Sequence, residues 1–192
     1  VIDRYKDNLA LLEDIYLKYL DLHGDEDQDG EFLAELSCRD PDFLYCYLDK
    51  ALDHMGTSFY AHNSWASRLH FVWDDETFQS YPELISDYFF EKTGEEEWRY
   101  SAIISQLLLC KNEDSDIVAK RQNAWILHTI EMHAAEPTRM HYLFGAISES
   151  SADRRRIALE KFLKLNDDYA LFEKLPLESP SIGGIGSMIP YI

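Results

Sequence analysis

The chain has 192 residues and a formal net charge of −18, from 36 acidic against 18 basic residues. Hydrophobic residues make up 46% and aromatics 14%, too much apolar material for a disordered chain. The negative field repels phosphate backbones and anionic lipid, which excludes nucleic acid and membrane as general partners and leaves basic peptides, cations or a basic neighbouring domain.

Apolar residues recur at three- and four-residue spacing with almost no alternating pattern, so the predicted fold class is all-α. The first helix is expected from Arg4 to Leu22, with Tyr5, Leu9, Leu12, Tyr16 and Tyr19 on one stripe and Asp3 as its cap. After the polar loop His23 to Gly30, a short helix runs through Phe32, Leu33 and Leu36. Asp40-Pro41, a cap followed by proline at the first helical position, opens a helix with Phe43, Leu44, Tyr47, Leu48, Ala51 and Leu52 inward. Gly56 ends it, Thr57 to Ser64 reads as loop, and Trp65, Leu69, Val72 and Trp73 form the next stripe.

Ser80-Tyr81-Pro82 begins a helix with Leu84, Ile85, Tyr88 and Phe89 inward, and Lys92-Thr93-Gly94 stops it. Glu95, Glu96 and Glu97 favour the start of another, whose body from Ile103 to Leu109 is apolar on nearly all sides and therefore central. Three more helices complete the series: Asp114 to His133, with Ile117, Val118, Ala124, Trp125, Leu127 and Ile130 apolar; Pro137 to Ser148, with Met140, Leu143, Phe144 and Ile147; and Ala152 to Leu165, capped by Ser151. A turn at Tyr169 to Phe172 leads to a Gly/Ser/Pro-rich arm over 178–192.

Helix pairs recur at roughly forty residues, in the range of HEAT and armadillo stacks. The architecture expected is an irregular α-solenoid of antiparallel helices over 1–177, with a closed helical bundle as the alternative. Opening on Val1-Ile2-Asp3 without Met, and ending on the apolar run Met188 to Ile192, the chain is expected to be a fragment of a longer protein. Cys38, Cys46 and Cys110 lack framework or Cys-x-x-Cys spacing and read as buried free thiols in a reducing, cytoplasmic setting.

Among motifs, Asp25, Asp27 and Asp29 before Gly30 place carboxylates at alternate positions, as in the first half of a calcium loop. The twelfth position, which should supply a bidentate Glu, is Leu36, and Glu35 comes one residue early. A solvated acidic turn is therefore favoured over a weak calcium site at Asp25, Asp27 and Asp29. His128 and His133 are five apart and point to different helix faces, while His62 and His70 straddle a loop boundary, so the histidines read as scattered. Glu83, Asp87, Glu91 and Glu96 offer carboxylates for acid-base chemistry, but no nucleophile motif accompanies them. Gly183 to Ser187 lacks the lysine of a phosphate loop, and no cofactor is implied. Arg154-Arg155-Arg156 with Lys161 and Lys164 is the dense basic cluster, read as pairing with the acidic surface. Trp65, Trp73, Trp98 and Trp125, with Tyr45, Tyr47, Tyr60 and Tyr100, are mostly core by spacing, and any minority on a concave face would form a peptide-recognition surface.

The segment from Arg154-Arg155-Arg156 through Phe162 to Tyr169, then Leu175-Pro176-Leu177 and the Gly/Ser stretch before Ile189-Pro190, resembles helical C-terminal regions of large bacterial multidomain P-loop ATPases of the STAND type. That resemblance covers under a quarter of the chain and implies a sensor, scaffold or interaction part of a signalling or defence ATPase. The function expected is a non-enzymatic helical interaction module, engaging a protein partner or a neighbouring domain of the parent chain. A helical hydrolase or ligand-binding domain is the rival. An open groove without converging titratable groups favours the first, and a closed pocket with paired carboxylates or histidines favours the second.

Overall fold

The computed structural model describes residues 8–22, 30–55, 65–74, 76–93, 97–109, 116–148 and 150–166. About 88% of them are helical and none lies in a strand, so the fold is all-α. None of their helices is long and apolar enough to cross a membrane. The chain divides into two compact units, Val1–Gln79 and Ser80–Ile192.

In the first unit, α1 (Leu9–Leu22) is capped by Asn8, whose side-chain oxygen accepts from the Leu11 N–H at 3.3 Å. The expected cap Asp3 and the inward Tyr5 lie outside the described residues. The buried line of α1 is Leu12, Tyr16 and Leu20, along the four-residue row, and Tyr19 is left exposed beside it. Next, α2 (Glu31–Arg39) leaves Gly30 in the left-handed region at φ 70°, and α3 (Pro41–Met55) begins after a single residue. That residue, Asp40, closes α2 through its N–H to the Leu36 carbonyl and opens α3 by accepting from the Asp42 N–H at 3.0 Å.

Phe43, Leu44, Tyr47, Leu48 and Ala51 of α3 are buried as the period requires. Tyr16 of α1 meets the Phe32 and Phe43 rings edge-on at 5.2 and 6.0 Å. The stripe Trp65, Leu69, Val72 and Trp73 is buried too, but from Arg68 to Trp73 the backbone is a 3-10 helix. Its tighter winding also encloses Phe71 and Arg68, and the Arg68 guanidinium stands 5.4 Å from the Trp65 ring centre. The Tyr47 hydroxyl donates to the Trp65 carbonyl at 2.8 Å, tying this segment to α3.

The cysteines correct one expectation. Cys38 and Cys46 are exposed free thiols, because each falls just off the buried face of its helix, Leu33-Leu36-Ser37 in α2 and Phe43-Leu44-Tyr47-Leu48 in α3. Cys110 lies outside the described residues, as do Tyr60, His62, Glu95, Glu96 and everything after Asn166.

The second unit comprises α4 (Tyr81–Thr93), α5 (Glu97–Leu108), α6 (Asp116–His133), α7 (Pro137–Ala146) and α8 (Ala152–Leu165). Helix α5 packs on α4 and α7, and α6 packs on α8. Packing on next-but-one neighbours is a pattern that a short stack and a closed bundle share. Tyr100, Ile103, Ile104 and Leu107 make α5 the buried centre of this unit, against Ile85 and Phe89 of α4 and Met140, Leu143 and Phe144 of α7. Ser151 caps α8 as expected, accepting from the Arg154 N–H at 3.3 Å.

Helix α6 departs from the expected stripe. Ile117 is 60% exposed and Ala124 is exposed, while Gln122 and Thr129 are buried beside Val118, Trp125, Ile126 and Ile130. The apolar residues of α6 do not share one face. Its polar residues can turn inward because each meets an acceptor: Gln122 donates to the Leu108 carbonyl at 3.1 Å and Thr129 to Glu83 at 3.3 Å.

Candidate functional site

Polar chemistry converges where α4, the end of α6 and the start of α7 meet. The four-residue step from Glu83 to Asp87 puts both carboxylates on one face of α4, and His133, Glu136 and Arg139 succeed one another across the α6–α7 turn. His133 lies between two carboxylates, with Nδ1 2.8 Å from Glu136 Oε1 and Nε2 3.2 Å from Glu83 Oε1. The other oxygen of Glu83 accepts from Trp125 Nε1 at 3.1 Å and from Thr129 Oγ1 at 3.3 Å. Arg139 is buried, pairs with Asp87, donates to Ser86 Oγ at 3.3 Å and lies 4.9 Å from the Phe90 ring centre. Ser86 in turn shares a 2.9 Å hydrogen bond with the enclosed Tyr100 hydroxyl.

Burial pushes the Tyr100 phenol above its usual pKa, against the opposing pull of the Ser86 hydrogen bond and the Arg139 charge. Burial acts against the Arg139 cation, but its hydrogen bond to Asp87 and the neighbouring Tyr100 and Asp87 outweigh that and raise it. One donor atom each from Glu83, Asp87 and His133 lies within 4.8 Å of the others, so these are the described residues able to share a cation.

A second feature is an open cleft of about 370 Å³ between the end of α5, the start of α6 and the α7–α8 turn. Leu108, Leu109, Val118, Ala119 and Ala146 give it apolar walls, and Ser105, Gln122, Ser150, Ser151 and Arg154 give it a polar rim. Arg154 fixes that rim, donating through Nη2 to Gln122 Oε1 at 2.7 Å and through Nε to Asn123 Oδ1 at 2.8 Å. Leu109 is 50% exposed on its wall. The lining contains no carboxylate and no imidazole among the described residues.

Of the residues singled out in the sequence, Glu83 and Asp87 are brought together, Glu91 is exposed on the same helix, and Glu96 lies outside the described residues. His133 joins the cluster, whereas His128 is exposed. Asp25, Asp27 and Asp29 lie outside the described residues. Beyond them the chain is helical from Glu31, with Leu36 buried in the core and Glu35 paired to Arg39. In the basic run, Arg156 meets Glu160 at 2.9 Å and Lys161 meets Glu131 at 2.7 Å, Arg155 donates to the Ser148 carbonyl, and Arg154 donates to the side-chain amides of Gln122 and Asn123. Trp65, Trp73, Trp125, Tyr47 and Tyr100 are core, Tyr45 is exposed, and the Trp98 side chain is not among those described. Comparison with family models, curated proteins and solved structures finds no match.

Proposed function

We propose that the chain is a non-enzymatic helical interaction module whose second unit receives an apolar segment of a protein partner, or of a neighbouring domain in a longer parent chain. The observation that carries this reading is the cleft, with apolar walls, a polar rim and no pair of titratable groups converging in it among the described residues. A volume of about 370 Å³ accommodates one or two large apolar side chains. Leu109, half-exposed on the wall, offers apolar surface against which a helix or an extended strand of the partner would lie. The serines offer that partner neutral hydrogen bonds at the rim. The exposed thiols Cys38 and Cys46 suit a reducing compartment such as the cytoplasm. In a STAND-type parent, this role would be that of the sensor or scaffold beside the ATPase.

Peptide-display selection on the whole chain tests the proposal, with Ala119→Trp filling the cleft from α6. Selected peptides should bind the variant at least about tenfold more weakly, a difference of about 1.4 kcal/mol, with the melting temperature unchanged. Peptides that bind A119W as well as the natural chain, or a selection that enriches none, would remove the cleft as the interaction surface.

A further inference from the structure

Glu83, Asp87 and His133 each have one end tied by a neighbour. Trp125 and Thr129 hold Glu83 Oε2, Glu136 holds His133 Nδ1, and Arg139 holds Asp87. This is the outer ring of hydrogen bonds that orients ligands around a metal ion, the carboxylate behind the imidazole above all. On one side of the imidazole His133 Nδ1 lies 2.8 Å from Glu136 Oε1, and on the other Nε2 and Glu83 Oε1 stand 3.2 Å apart, facing the same space as Asp87.

We propose that these three donors, His133 Nε2, Glu83 Oε1 and Asp87, hold a divalent transition-metal ion. Two ligands each at about 2.0–2.2 Å from one ion stand about 3 Å apart, the separation seen here between nitrogen and oxygen. Asp87 brings the third donor within 4.8 Å. Three carboxylates, Glu83, Asp87 and Glu136, stand against one guanidinium, Arg139, a surplus of acid that a divalent cation offsets. Arg139 Nη2 is 4.0 Å from Glu83 Oε1, beyond hydrogen-bond reach, so the guanidinium braces Asp87 without occupying that oxygen. One imidazole with two carboxylates selects Zn²⁺, Co²⁺, Mn²⁺ or Fe²⁺ over Cu⁺. The Asp87 side chain is 53% exposed, against 16% for His133 and 26% for Glu83, so the ion enters from its side and completes its shell with water.

The test uses the untagged whole chain after treatment with chelator, titrated calorimetrically with ZnCl₂ and by visible absorption with CoCl₂. One equivalent should bind, and Zn²⁺ should bleach the Co²⁺ bands. Glu136→Gln keeps all three ligands and should weaken binding about 10- to 100-fold. His133→Asn should abolish it, with a circular dichroism melt confirming the fold, and Asp87→Asn at the exposed ligand takes its place should H133N lose a cooperative melt. Absence of saturable binding at about 100 μM metal, or equal binding by the natural chain and a folded ligand variant, would overturn the proposal.

Discussion

Replacing Gly30 by alanine probes the joint between α2 and the 3-10 helix. At φ 70° an L-residue pays about 1–2 kcal/mol for the left-handed region. The added Cβ would also lie 1.8 Å from the Arg68 carbonyl oxygen and 2.8 Å from its carbon. That neighbour is backbone, part of a segment fixed by the Tyr47 bond to Trp65 and by the burial of Leu69 and Trp73, so it cannot swing aside as a side chain would. Forced repacking of this kind costs about 1–3 kcal/mol. Against the sum stands the entropy that alanine removes from the unfolded chain, about 0.4–1 kcal/mol, which is too small to reverse the sign. The net loss should be about 1–4.5 kcal/mol. For a unit of this size, each kcal/mol lowers the melting temperature by about 4–8 °C. Urea titration monitored by circular dichroism gives the loss from the midpoint. Gly30→Asn separates the two causes, because asparagine tolerates the left-handed region but carries the same Cβ. Both variants should lose stability equally in EDTA and in millimolar calcium, since the cause is the Arg68 carbonyl and not an ion held by Asp25, Asp27 and Asp29. A wild-type midpoint for G30A would refute the contact, and a loss confined to calcium-loaded protein would return the loop to cation binding.

Cys46 should alkylate slowly despite its exposure: partial desolvation, with the charges of Asp49, Glu13, Asp40 and Asp42, raises its pKa and depletes the thiolate that reacts. Peptide-resolved mass spectrometry after iodoacetamide at pH 7.5 should give a rate below that of free cysteine and rising with salt; a rate at or above it, indifferent to salt, refutes the electrostatic account. Tyr100 should make stability fall at alkaline pH, because the unfolded phenol releases its proton near its usual value of about 10 while the buried one keeps it. Its contribution is complete below pH 10 and is lost as pH climbs toward the raised folded value. Melts between pH 9 and 11 should show a steeper decline for the natural chain than for Tyr100→Phe, and parallel declines would exclude the phenol as the cause.

Helix boundaries were legible where the chain carries local punctuation. Asp40-Pro41, Ser80-Tyr81-Pro82, Pro137 and Ser151 each mark a terminus through chemistry contained in two or three residues. Facing was legible where apolar residues form one stripe, as in α3 and α7. It failed in α6, where Gln122 and Thr129 are buried by acceptors on α5 and α4 that the helix's own sequence does not announce, and Ile117 is left outside. The cluster was half legible. Glu83 and Asp87 share a face by spacing alone, but His133 reaches them only because the end of α6 lies against α4, fifty residues away in sequence from Glu83. Trp125 fitted the core by period and is buried, yet it also orients Glu83, and periodicity cannot show where an indole N–H points. The cleft left no local signal because its walls are the ends of separate helices.

Under the proposed function, the surplus of acid bears on which partner segment would reach the cleft. Several basic side chains are paired within their own helices, Lys18 with Asp14, Arg39 with Glu35 and Arg156 with Glu160. Such exposed pairs add little stability, but they cancel the positive charges locally and leave the surplus of carboxylates to set the field. Segments rich in acid are therefore repelled before contact, and neutral or basic ones are drawn in. The segment suited to both the field and the cleft would then have a basic flank for approach and an apolar side chain for Leu108, Leu109 and Val118.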